Sequence, residues 1–237
     1  MRPDSIRSGT IEFDGGKRQI GAALMTAEVT IVALTMAGLS RIPEHCRTCV
    51  CWEVEPAAAA GLGPADRAFE KEAWLSGIML TWGSAGLLAT AGDRTAGYAQ
   101  FAPPTATPGA AAFPSGPVSP DAVLLTTIRA EPAFTGAGVA GRLIAESVAA
   151  LSRRRVRAIE AFGSRRPGPD PAMPCVIPAD LLQANGFEVV RAHPEYPRLR
   201  YELEPESDWK AEVEAALESL LADAAGFPTS AARVAVG

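Results

Sequence analysis

Leu124-Leu125-Thr126-Thr127-Ile128-Arg129-Ala130-Glu131-Pro132-Ala133-Phe134-Thr135-Gly136-Ala137-Gly138-Val139-Ala140-Gly141-Arg142-Leu143 passes through three regimes within twenty residues. Ala122 to Ile128 is a short, almost continuous apolar and β-branched run, the pattern of a buried strand. A glycine-rich turn follows over Thr135 to Gly141, and then Val139, Leu143, Ile144, Val148 and Leu151 recur at helical spacing. Strand, glycine turn and helix in that order make an anion site. The first N–H groups of a helix have no partner within it, its dipole favours negative charge, and glycines let a pyrophosphate approach the backbone. The same turn also serves as a tight joint that packs a helix on a strand, and glycines by themselves do not separate the two. No Lys with Ser or Thr follows as in a Walker loop, and no acidic residue ends the next strand in the Rossmann manner. Nucleoside triphosphates and dinucleotides therefore fit poorly.

Upstream, the pattern predicts a strand from Glu28 with Val29, Ile31 and Ala33 on one face, so that the fold begins near Met25. A helix is expected from Ala65 to Trp82, with Pro64 at its start, Leu75, Ile78, Met79 and Trp82 on its buried face and Gly83 at its end. Ala85 to Thr90 and Thr95 to Phe101 flank the turn pair Gly92-Asp93 and read as a hairpin. Six prolines and two glycines between Ala102 and Pro120 favour an irregular loop, and a loop of this length in a compact domain is more often functional than idle.

Downstream, Arg153, Arg154 and Arg155 close the helix that began at the glycine turn. A strand from Val156 to Phe162, a Pro-rich loop from Ser164 to Pro178, a short helix to Asn185 capped by Gly186, and two strands ending at Leu203 complete the pattern. Trp209, Val213, Leu217, Leu220 and Leu221 mark an amphipathic helix after Pro205. This divides the chain into an N-terminal extension (1–24), a domain (25–205) and a C-terminal helix and tail (206–237).

With 237 residues the chain can bury a substantial core. Its 22 basic and 27 acidic residues give a net charge of -5, which provides no positive field for a nucleic acid and suits a cationic acceptor better. The apolar stretch Gln19 to Ser40 is interrupted by Glu28 and diluted by Thr and Ser, so neither a membrane span nor a secretory signal is expected. The four cysteines are then expected to be reduced in a cytoplasmic setting.

The run from Leu124 to Leu143 resembles the central motif of the GNAT superfamily of N-acetyltransferases: Arg or Gln, two variable residues, Gly, one variable, then Gly or Ala. Gly138 and Ala140 match it, whereas Thr135 stands where Arg or Gln is usual. Leu181-Leu182-Gln183-Ala184-Asn185-Gly186-Phe187 resembles the family's helix ending in Gly-Phe. The resemblance implies an α+β GNAT fold, with a mixed, mostly antiparallel sheet splayed between its fourth and fifth strands and flanked by helices. It implies acetyl-CoA as co-substrate, with Ile128, Arg129 and Ala130 along the pantetheine arm and Thr135, Gly136, Ala137, Gly138, Val139 and Ala140 around the pyrophosphate. The acceptor would be a small-molecule or peptide amine, attacking the thioester directly. A non-catalytic acyl-CoA-binding regulatory module stands as the alternative, and a homodimer stays open as an assembly.

Attack by an amine needs a route for its proton, commonly a carboxylate. Glu160, in the otherwise apolar Ala158-Ile159-Glu160-Ala161-Phe162, is the candidate general base; the competing reading pairs it with an arginine such as Arg157 or Arg191. Many GNAT relatives place a tyrosine before Gly-Phe to protonate the leaving thiolate, and here Leu181 and Leu182 stand there. His193 reads as a turn residue. In His45-Cys46-Arg47-Thr48-Cys49-Val50-Cys51-Trp52-Glu53 the thiol spacing invites zinc, yet Cys175 lies far along the chain and His45 is poorly placed beside Cys46. No metal is therefore expected. The thiols should pack a turn leading to an acceptor pocket lined by Trp52 and Glu53, with a redox-sensitive Cys46 and Cys49 pair as the other reading.

Overall fold

The computed structural model describes residues 28–166, 175–203 and 217–218. The expected extension over 1–24 lies outside the described residues, as does all of the C-terminal helix but those last two. Five helices are labelled here: α1 (Glu44–Thr48), α2 (Pro56–Ala59), α3 (Pro64–Trp82), α4 (Val139–Ser152) and α5 (Ala179–Ala184). The strands are β1 (Thr30–Ala33), β2 (Gly86–Ala91), β3 (Arg94–Ala102), β4 (Ala122–Ala130), β5 (Ala158–Ser164), β6 (Ile177–Pro178), β7 (Glu188–Arg191) and β8 (Arg198–Glu202). They form one sheet in the order β1-β2-β3-β4-β5-β8-β7, with β6 beside the far end of β5. Every pair is antiparallel except β4 with β5 and β5 with β6.

Alternate residues of each strand feed opposite layers, as the two-residue period of a strand requires. On one face α4 and α5 bury Val139, Leu143, Ile144, Leu151 and Leu182 against Ala99, Phe101, Leu125, Ile159 and Ala161. On the other, α1 and α3 cover Tyr98 and Ala102 with Cys46, Leu75 and Ile78, and Trp52, Phe113 and Phe162 form a stacked aromatic cluster beside Leu124. Burial of this kind contributes roughly 25 cal/mol per Å² of apolar surface.

The expected hairpin is present, with Gly92 at φ 59° in its turn. Helix α3 starts at Pro64 and stops where Gly83, at φ 93°, donates its N–H to the carbonyls of Ile78 and Met79. The loop after β3 is packed rather than loose. Its Phe113 stacks on both Trp52 and Phe162, Ser115 Oγ donates to the Tyr196 carbonyl at 2.6 Å, and a Cβ on Gly109 would sit 1.8 Å from the Cys51 carbonyl oxygen.

Candidate acyl-donor cleft and the groups around it

β4 and β5 run parallel for three residue pairs, Ala122 with Ala158, Val123 with Ile159 and Leu124 with Glu160. Beyond Leu124 they separate, and among the described residues no strand pairs with that edge of β4. A β-bulge coincides with the parting. Phe101 faces Leu125 while Gln100 faces Thr127, so Thr126 is the extra residue, and its hydroxyl donates to the Gln100 carbonyl at 2.9 Å. Bulges bend a strand and re-aim its groups, which is what lets β4 leave β5 while holding β3.

The Glu131 N–H donates to the Ala96 carbonyl on β3 at 2.9 Å. Alternation along an antiparallel strand then sends the backbone groups of Arg129 and Thr127 to β3 and those of Ile128 and Ala130 into the opening. Of the three residues expected along the pantetheine arm, Ile128 and Ala130 thus face the gap with their main chain and Arg129 does not.

At the mouth of the gap the turn from Thr135 to Gly138 is exposed, and Gly136 (φ 82°) and Gly138 (φ 68°) take left-handed conformations that side chains disfavour. Gly138 is the N-cap of α4 and supplies no side chain to the orphan N–H groups of its first turn; the first helical bond is that of Arg142 N–H to the Gly138 carbonyl. Thr135 turns its hydroxyl back onto the Pro132 carbonyl at 2.9 Å, so it does not replace the missing Arg or Gln side chain.

Glu160 occupies the closed end of the gap and is fully buried. Its carboxylate accepts from Arg200 at 3.1 Å and from the Ser119 N–H at 3.0 Å, and lies 3.4 Å from Arg198. The arginines expected from sequence, Arg157 and Arg191, are not these partners. Arg200 also binds Asp121 at 2.9 Å and Glu202 at 2.6 Å, and its hydrogen bonds hold both of those carboxyls below the usual range. Leu182 is buried in the core beneath α5 with Leu181 packed against it, and His193 Nδ1 accepts the N–H groups of Glu195 and Tyr196, a turn role as expected.

A second polar cluster was not foreseen. Lys71 on α3 donates to Glu53 at 2.6 Å and to Gln100 on β3 at 2.7 Å, and the Tyr98 hydroxyl donates to the same Gln100 oxygen at 2.7 Å. All four residues are buried, so Glu53 does not line an open acceptor pocket; Trp52 is buried in the aromatic stack. Burial opposes the Lys71 charge, but the adjoining Glu53 carboxylate together with Tyr98 and Cys49 outweighs it and moves the ammonium up. The signal in sequence was a lysine four residues before Leu75, on the apolar stripe of its helix. A cavity of about 460 Å³ opens beside it, with Leu39, Ile42, Glu44, Arg47 and Glu72 among its walls.

The premise that Cys175 is remote from the other thiols is overturned. Its Sγ lies 2.7 Å from that of Cys49, which is 3.4 Å from Cys51. Hydrogen bonds from Cys175 and Cys51 hold the Cys49 thiol well below its usual range.

No protein-family model matches the sequence, and no curated protein matches it. Solved structures do overlay. An acetyltransferase 15% identical covers 74% of this chain and 100% of its own at a TM-score of 0.51. An N-acetyltransferase from Staphylococcus aureus Mu50 (14% identity, 75% of this chain and 99% of its own, TM-score 0.49) and the PaiA N-acetyltransferase from Thermoplasma acidophilum in complex with coenzyme A (11%, 74% and 99%, TM-score 0.48) overlay less closely. The first of these overlays, taken with a sheet that parts between its fourth and fifth strands after a bulge, establishes that this chain has the GNAT fold.

Proposed function

We propose that the protein is an acetyl-CoA-dependent N-acetyltransferase. One observation carries this reading: the edge of β4 that no described strand pairs with, where the main chain of Ile128 and Ala130 turns into the gap, leads to the glycine-capped N-terminus of α4. An extended amide-bearing arm can hydrogen-bond to such an edge as an added strand would, while the pyrophosphate accepts from the N–H groups of Val139 and Ala140 and the glycines leave it room. The arm then directs the thioester toward the closed end of the gap, where the acceptor amine attacks its carbonyl.

Glu160 fits the closing of that end better than proton transfer. Two guanidinium groups and an N–H already face its oxygens, leaving little room for an acceptor amine or its water to reach them. We assign the acceptor's proton to water, and the acceptor itself to a small-molecule or peptide amine.

The alternative of an acyl-CoA-binding module without turnover draws on the packed Leu181 and Leu182 and on the Thr135 hydroxyl, which is engaged within its own turn. Both readings require binding. Acetyl-CoA at about a hundred times its Kd should stabilise the fold by about 2.7 kcal/mol, a rise in Tm of roughly 5 to 10 °C. Coenzyme A release from a panel of amines then separates the two: release with any amine supports the enzyme, thermal stabilisation without release supports the module, and no stabilisation overturns both.

A further inference from the structure

Four cysteines converge from two distant parts of the chain. Cys46, Cys49 and Cys51 follow one another across the end of α1, and Cys175 enters just before β6. The Sγ atoms of Cys49, Cys51 and Cys175 all lie within 4.8 Å of one another, His45 Nε2 lies 3.9 Å from Cys175 Sγ, and the buried Cys46 stands three residues before Cys49. The Cys175 and Cys49 sulfurs, 2.7 Å apart, are well beyond the ~2.05 Å of a disulfide and so are not bonded to each other.

We infer that Cys49, Cys51 and Cys175 supply three ligands of a structural site for a thiophilic divalent cation, zinc above all, with Cys46 or His45 as the fourth. The spacing Cys-x-x-Cys from 46 to 49 is that of structural zinc sites, and Cys175 supplies what the local sequence lacks. Zinc–sulfur bonds of about 2.3 Å set ligand sulfurs roughly 3.8 Å apart in a tetrahedron, so side-chain rotations of the order of 1 Å open the present cluster enough to hold the ion. Its place in the fold gives the ion a task. Cys46 is packed with Tyr98 on the β3 side of the gap, whereas Cys175 leads into β6, which pairs with β5. A cation here ties the two halves of the sheet together across the opening and fixes its width. It takes no part in acyl transfer, and the inference stands or falls apart from the reading of the cleft.

The test uses the full chain, stripped of metal by chelation under reducing conditions and titrated with zinc against a chromophoric chelator. One zinc per chain is expected, with a concentration-dependent rise in Tm. Cobalt(II) should give thiolate-to-metal charge-transfer absorption and the intense visible bands of a tetrahedral site. Cys49→Ser and Cys175→Ser should each weaken zinc binding at least tenfold, and one of Cys46→Ser and His45→Ala should weaken it as well, which identifies the fourth ligand. Because the serine variants could be less stable in themselves, the cobalt spectrum of the parent is the independent arm. Substoichiometric zinc, a cobalt spectrum without charge transfer, or a parent protein whose mass shows a Cys49 to Cys175 disulfide in place of free thiols would each overturn the site.

Discussion

At Gly138 the backbone angle itself limits what can stand there. A β-branched residue at φ 68° is strained by about 1 to 3 kcal/mol although the space around its Cβ is open. Gly138→Val should therefore fold with a lowered Tm and lose the stabilisation that acetyl-CoA gives the parent; a full thermal response in this variant would remove the cradle from the turn. This residue was legible in sequence because a strand, a glycine turn and a helix are local signals. Glu160 was legible only as an acid in an apolar strand. Its partners Arg198 and Arg200 lie some forty residues on, and nothing in the pattern says which arginines β8 will bring alongside β5. Glu160→Gln should cost about 1.5 to 3 kcal/mol, typical of a hydrogen bond to a charged group. If the ion-pair role is right, acetyl transfer persists near the parental rate; a fall of a hundredfold or more, the scale of a lost general base, would restore proton transfer to Glu160.

At the level of elements, the order of the longer strands and of α3, α4 and α5 followed from periodicity and turn chemistry, with boundaries shifted by a residue or two, and β5, expected to begin at Val156, begins at Ala158; α1, α2 and the two-residue β6, which lies in the stretch expected as a loop, did not follow. What the pattern did not show is the bulge at Thr126, since an extra residue in β4 becomes visible only against the register of β3. It has a measurable consequence. Without ligand, the Ile128 and Ala130 amides should exchange hydrogen faster than those of Thr127 and Arg129, which are bonded to β3, and acetyl-CoA should slow the first pair selectively. Uniform protection along β4 would contradict the assignment of faces. Helix α3 likewise carried a group whose partners are distant in sequence. Lys71→Met would leave the buried Glu53 carboxylate uncompensated, at a cost of about 3 to 5 kcal/mol, and adding Glu53→Gln should recover a large part of it. Additive losses in the double variant would show that the pair is not coupled.

For the molecule as a whole, the decisive feature is that two half-sheets meet through three residue pairs of β4 and β5, and a charge network reinforces that narrow joint. Asp121, immediately before β4, binds Arg200 on β8, which also holds Glu160 on β5, so one guanidinium spans both halves. No helix among the described residues is long and apolar enough to cross a membrane, and the fold's integrity rests on this joint and the two layers around it. Because Arg200 depresses the carboxyls of Asp121 and Glu202 in the folded state, their contribution is present at neutral pH, above the unfolded carboxylate range, and is lost as pH falls through the folded values. Stability should therefore be flat near pH 7 and decline as the pH drops below about 4, the ordinary carboxylate range. Asp121 is largely exposed, so solvent screening keeps its own share small. The informative measurement is the difference between Tm curves of the parent and Asp121→Asn: the variant should start slightly lower at pH 7 and converge on the parent as acid protonates the group it lacks. Curves that stay parallel down to pH 3 would place the acid sensitivity elsewhere and leave the joint between the half-sheets to backbone pairing and packing.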